Sequence, residues 1–202
     1  MIEIEHLEKS FSGKVLFKDM NLTINDGEFI VFSGKSGCGK TTLLNMIGAL
    51  EPVDKGTIKV DHRDIAEKRN QLNYYRYKVG FLFQNYALVD NKTVRQNLNL
   101  VKNSCRNDVT LERVLEEVSL ANKIDEKVYR LSGGEQQRVA LARLMLKKCD
   151  IILADEPTGS LDRDNAQSVI DILRGMNQKG KTIIMVTHDE YFKHAGNRNI
   201  ML

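Results

Sequence analysis

Gly34-Lys35-Ser36-Gly37-Cys38-Gly39-Lys40-Thr41 has the G-x-x-x-x-G-K-[ST] spacing of a loop that wraps phosphate. Its glycines let successive backbone N–H groups turn inward, Lys40 brings a mobile cation to terminal phosphates, and Thr41 offers a hydroxyl to Mg²⁺, a hard ion that prefers oxygen. Downstream, Ile151-Ile-Leu-Ala-Asp155-Glu156 is an apolar run ending in two carboxylates, and Pro157 stops it. Neighbours on a strand point to opposite faces, so the two acids must do different jobs. Asp155 is placed to complete a Mg²⁺ shell, and Glu156 to orient and polarise an attacking water. A second anion grip is encoded at Ser132-Gly133-Gly134-Glu135, whose S-x-x-E spacing is that of a capping box. It predicts a helix start at which two residues without side chains leave bare N–H groups open to a second phosphate.

These groups need a scaffold, and the flanking pattern describes one. Glu28-Phe-Ile-Val-Phe32, Val79-Gly-Phe-Leu-Phe83, Ile151–Ala154 and Thr182-Ile-Ile-Met-Val186 are short, nearly continuous apolar runs, as expected of strands covered on both faces. The first leads directly into the phosphate loop and then the helical Thr42-Leu-Leu-Asn-Met-Ile47, the context in which that loop pattern carries weight. Alternating apolar residues at Ile2, Ile4 and at Met20, Leu22, Ile24 predict half-buried strands. From Phe83 to Leu131 only helical stretches are visible, at Thr93 to Leu100 and Thr110 to Leu120. The expectation is an α/β fold: a core with a mainly parallel sheet, an antiparallel β edge at the N-terminus and an inserted α-helical subdomain, all in one domain over residues 1–202. Residues 1–84 and 131–202 would form the catalytic core and 85–130 the helical insert.

Composition narrows the class. With 42% hydrophobic and 28% charged residues the chain reads as globular rather than disordered, and a net charge of +3 is too small to point to nucleic acid. The densest basic stretch, Lys68, Arg69, Arg76 and Lys78 with Tyr74, Tyr75 and Tyr77 between, reads as a solvated helix face in preference to a nucleic-acid surface. Cys38, Cys105 and Cys149 lie far apart with no C-x-x-C pair, which fits neither a disulfide framework nor a zinc site and suggests a reducing, cytoplasmic setting. No run approaches the roughly 18 apolar residues of a spanning helix, so any membrane role is expected to pass through another polypeptide.

Leu131-Ser-Gly-Gly-Glu-Gln-Gln137 closely resembles the signature of the ATP-binding-cassette family, and the other family motifs occur in order along essentially the whole chain. The resemblance implies an ATPase that uses ATP and Mg²⁺. Phe11 falls where the family places an aromatic against adenine, Gln84 resembles the glutamine that touches Mg²⁺, and His188 resembles the switch histidine at the γ-phosphate. The implied nucleotide contacts are Phe11, Gly34 through Thr42 (with Lys35, Ser36, Gly37, Cys38, Gly39, Lys40 and Thr41), Gln84, and Ser132, Gly133, Gly134 and Glu135. Thr41, Gln84 and Asp155 are the implied metal ligands, and Lys40, Glu156 and His188 the catalytic groups. Ser160-Leu161-Asp162 is similar to the segment that crosses the interface between cassettes, with Ser160 standing where asparagine is usual.

The family's arrangement further implies a head-to-tail pair of identical chains, each ATP held by one copy's Lys40 and the other's Ser132 and Gly134, a closed two-fold contact. It also implies a transmembrane permease as partner, at the cytoplasmic face of the membrane, and no nucleic acid. Phe81 to Leu88, Thr93 to Leu98 and Ala154 to Gly159 look like the branch serving lipoprotein release, macrolide export and bacteriocin or peptide export. A mechanical ATPase that acts on a membrane partner without moving cargo shares every one of these residues.

Overall fold

The computed structural model describes residues 1–11 and 13–202. Its centre is a five-stranded, wholly parallel sheet in the order β6-β7-β8-β3-β9, built from β3 (Phe29–Ser33), β6 (Val79–Leu82), β7 (Ile151–Asp155), β8 (Thr182–Thr187) and β9 (Arg198–Met201). Every residue of β3 and β8 is buried, which explains why these runs are apolar without alternation. The pleat still sorts them. Ile30 and Phe32 point into one core with Ile184 and Val186, while Phe29 and Val31 point into another with Ile183 and Met185.

The first core is closed by α1 (Lys40–Ile47) and by a separate antiparallel sheet of order β2-β1-β4-β5. Here β1 (Ile2–Phe11) and β2 (Lys14–Ile24), the strands expected at the N-terminal edge, are joined by β4 (Lys55–Val60) and β5 (Arg63–Asp64). The antiparallel strands therefore make a layer of their own. The second core is covered by α5 (Gly133–Leu146) and α6 (Arg163–Gln178). Between β5 and β6, α2 (Lys68–Asn73) runs into a π-helical turn, Tyr74–Lys78, whose Tyr74 and Tyr75 hydroxyls donate to the carbonyls of Ile47 and Ala49. Lys78 pairs with Asp61 and Asp150, so part of the basic stretch is used inside the fold.

A third cluster is helical. Val94 and Leu98 of α3 (Val94–Leu98) and Val114 and Leu115 of α4 (Leu111–Glu117) pack on Val139, Ala142 and Leu146 of α5. The opposite face of α5, with Ala140, Leu141 and Leu144, belongs to the second core. One helix thus joins the helical region to the parallel sheet, and its N-terminus carries Gly133 and Gly134. No helix among the described residues is long and apolar enough to cross a membrane.

Candidate functional site

The phosphate loop joins β3 to α1 in the order read from the sequence. Gly39 sits at the N-cap of α1 with φ 103°, a left-handed backbone, and a Cβ there would fall 2.9 Å from the Phe17 ring. Only glycine fits. No side chain caps α1, so its first N–H groups are left for a ligand, and the helix dipole adds positive potential at the same end. Lys40 is buried and its Nζ donates to the carbonyls of Gly34 (2.8 Å) and Lys35 (3.1 Å). Lys14, from β2, donates to the Gly37 carbonyl at 3.0 Å and fixes the loop from outside.

Beside this loop lies a cleft of about 380 Å³ lined by Ser36, Gly37, Gly39, Lys40, Thr41 and Thr42, by Gln84 beyond β6, by Glu156 and His188, and by Leu16. Thr41 Oγ1 donates to Asp155 Oδ1 at 2.9 Å. Burial holds the Asp155 carboxyl above its ordinary range, partly offset by the Thr41 hydroxyl. Glu156 lies one residue past the end of β7 with φ 44°, and its N–H still donates to Val186 O at 3.0 Å. The two acids diverge because the chain turns there, rather than through the strand pleat alone. Asp155 goes to α1 and Glu156 to the end of β8, where its Oε1 meets His188 Nδ1 at 2.8 Å and its Oε2 accepts the His188 N–H at 3.2 Å. The Glu156 carboxylate is mostly enclosed while the His188 ring is exposed, so the imidazole can move without unseating the acid's backbone contact.

The oxygen atoms of Thr41 and Asp155 beside the Lys40 ammonium, with the Gln84 amide on the same cleft, form a hard-donor set that fits Mg²⁺ completed by phosphate oxygens. Among the described residues no group of three or more His, Cys, Asp and Glu is placed to hold a metal ion; Mg²⁺ ordinarily takes only one or two carboxylates, with phosphate oxygens and water filling the shell.

The sequence-predicted residues do not all meet here. Ser132 accepts the Glu135 N–H on its hydroxyl at 3.3 Å and Glu135 Oε2 accepts the Ser132 N–H at 2.8 Å, a full capping box that opens α5. Yet none of Ser132, Gly133, Gly134 and Glu135 lines the phosphate-loop cleft. Phe11 also lies off that lining; its ring is 45% exposed at the end of β1, with the Lys9 ammonium 4.8 Å from its centroid. Lys9 is itself buried and held by Glu51 (2.7 Å), Asp54 (3.1 Å) and the Pro52 carbonyl (2.8 Å). Sequence reasoning missed Leu16, Lys14 and Lys9; the alternation of β2 was the only local signal for Leu16, and none marks the two lysines.

A family model described as "ABC transporter" matches residues 17–159. The macrolide export ATP-binding/permease protein MacB of Aggregatibacter actinomycetemcomitans is 41% identical over 99% of this chain, which spans 33% of that relative. The lipoprotein-releasing system ATP-binding protein LolD of Leptospira interrogans is 38% identical over 100% of this chain and 88% of its own length. The chain thus spans about a third of the macrolide export relatives it matches. Among solved structures, a dimeric post-hydrolysis ATP-binding cassette bound to ADP and Pi superposes with TM-score 0.85 at 31% identity, covering 100% of this chain and 94% of that one.

Proposed function

The chain belongs to the ABC transporter ATP-binding family, and from that premise we propose that it hydrolyses ATP as one half of a head-to-tail pair, driving a transmembrane permease from the cytoplasmic face of the membrane. The observation that carries this reading is the separation of the two anion grips. Lys40, Gln84, Glu156 and His188 converge on one cleft, while the N-terminus of α5, capped by Ser132 and carrying Gly133 and Gly134, opens elsewhere. A phosphate held at Gly133 and Gly134 therefore belongs to a nucleotide seated in a second copy. The likeness to dimeric cassettes supports the same arrangement.

In this reading the adenine ring stacks on Phe11, and incoming phosphates take the Lys40 ammonium from the carbonyls of Gly34 and Lys35. Thr41, Gln84 and Asp155 would hold Mg²⁺, which would supply positive charge against the phosphates. Glu156 accepts a hydrogen bond from the attacking water, whose oxygen bonds to the γ-phosphorus as the bond to the ADP oxygen breaks. His188, fixed on Glu156 through its N–H, presents its ring to the same phosphate. Loss of the shared negative charge then releases the pair. The cargo we infer is a peptide, bacteriocin or other lipophilic compound, in keeping with relatives named for macrolide export and lipoprotein release.

The test is Glu156→Gln. It should keep MgATP binding, cut turnover by at least about a hundredfold, and leave a dimer stable to gel filtration. Wild-type turnover should rise with the square of chain concentration. Unchanged turnover in the variant removes Glu156 from catalysis, and strictly first-order activity from a proven monomer overturns the shared site.

A further inference from the structure

The loop that carries Gln84 into the cleft is held in an unusual way. Tyr86 and Ala87 both have left-handed backbones, with φ 62° and 49°, a conformation that non-glycine residues hold only when the surroundings impose it. Arg143, half-buried on α5, imposes it here. Its Nη1 donates to Ala87 O at 2.6 Å and its Nη2 to Tyr86 O at 3.1 Å. So anchored, the Tyr86 hydroxyl reaches away from the cleft to Ser160 Oγ at 2.9 Å, and a Cβ placed on Gly133 would lie 3.0 Å from it. The Gln84 amide in turn lies against the Pro157–Gly159 turn, with Nε2 3.5 Å from a Cβ placed on Gly159.

Under the shared-site reading, on which this inference rests, Gln84 serves the nucleotide of its own chain, whereas Gly133 and Ser160 serve that of the partner. Tyr86 stands two residues from Gln84 on the same loop and bonds to Ser160 of the other set. We propose that Tyr86, held in place by Arg143, is a positioning residue that couples the two nucleotide sites of the pair: displacement of the Gln84 loop in one site moves the Ser160 and Gly133 surface that completes the other. The hydroxyl is the only part of the ring able to transmit this through a directional bond, so Tyr86→Phe removes the coupling and leaves the ring packing in place.

Mixed pairs separate this role from a local one. When one copy carries Glu156→Gln, only the other copy's site turns over, and Tyr86→Phe can be placed in either. Turnover should fall about three- to tenfold with either placement, the worth of one hydrogen bond, while MgATP binding by a single chain stays at the wild-type value and the melting temperature falls by no more than roughly 1–6 °C. Tyr86→Phe combined with Ser160→Ala in one copy should fall no further than either alone. A loss seen only when the variant sits in the hydrolysing copy, no loss in either placement, or additive losses from the two substitutions each overturn the coupling. If copies with an intact Tyr86 fail to pair with ATP, the shared-site reading itself fails, and that result is seen before any Tyr86 variant is made.

Discussion

Adding one methyl group to two glycines should move stability in opposite directions. A Cβ on Gly134, in the first turn of α5, would fall 2.5 Å from Asn165 Oδ1, 2.6 Å from its Cγ and 3.1 Å from its Cβ. The whole Asn165 side chain would have to move, and it is not free to do so. Its Oδ1 accepts from Arg138 Nη1 at 2.7 Å, its Nδ2 donates to Asp162 Oδ2 at 2.6 Å, and its N–H donates to the capping Asp162 Oδ1 at 3.0 Å. Overpacking of this kind costs about 1–3 kcal/mol, against at most about 1 kcal/mol gained by replacing glycine in a helix. Even with the full gain subtracted, a net loss of up to about 2 kcal/mol should lower the melting temperature by up to roughly 8 °C in a chain of this size. Gly175, inside α6, is the control: a Cβ there meets nothing within 4 Å. Gly175→Ala should raise the melting temperature by roughly 1–4 °C, from about 0.5–1 kcal/mol of helix propensity. Scanning calorimetry of the three proteins without nucleotide reads both shifts, and ATP turnover should fall only in Gly134→Ala. If Gly134→Ala melts at or above the wild-type temperature, the close approach of α5 to Asn165 is not a constraint and the reasoning fails.

Phe11→Ala should raise KM for ATP with little change in kcat, because base–aromatic stacking contributes about 1–3 kcal/mol, a factor of roughly five to a hundred; equal KM values in a steady-state assay would remove Phe11 from the adenine site. Acid should destabilise the chain in a defined window. Asp54, Asp61, Asp125 and Asp162 are held below their ordinary value of 3.8, chiefly by the Ser10 N–H, Lys78, Arg95 and the Asn165 N–H respectively. A depressed carboxyl contributes stability that is complete above 3.8 and is lost as pH falls through the folded-state value, whereas Asp155, raised by burial, acts in the opposite sense. The melting temperature should therefore stay level from neutral pH down to the carboxylate range and fall below it; a rise on acidification would show that Asp155 outweighs the four.

What the sequence disclosed follows from how local each signal is. The strands β3, β6, β7 and β8 were legible because burial on both faces makes them apolar over consecutive residues, and the phosphate loop because its glycines and lysine act within eight positions. β9 was not, since Arg198-Asn-Ile-Met201 is an edge strand whose place beside β3 is fixed by side chains: Asn197 Oδ1 accepts the Phe29 N–H, and Asn199 Nδ2 donates to Val31 O. Nor was β4, where the apolar alternation is confined to Ile58 and Val60 and is too short to read as a strand. In the site, Glu156 and His188 were each marked by a motif, but their contact depends on β7 and β8 being neighbours, and nothing near Arg143 announces that its guanidinium spans to residues 86 and 87.

The same nonlocality would tie the hydrolytic acid to the pairing surface under the shared-site reading. The turn from Asp155 to Asp162 begins with the acids that face the chain's own phosphate loop and ends with Ser160 and the cap of α6. Its middle is tied to α5 by the fully buried Gln137, whose Nε2 donates to Pro157 O at 2.7 Å. A bond made without competition from water is stiff compared with one at the surface, so a shift of the α5 N-terminus carries Pro157 with it, one residue from Glu156. Under the shared-site reading, a nucleotide gripped at Gly133 and Gly134 by one copy would therefore act, through Gln137 and Pro157, on that copy's own carboxylate.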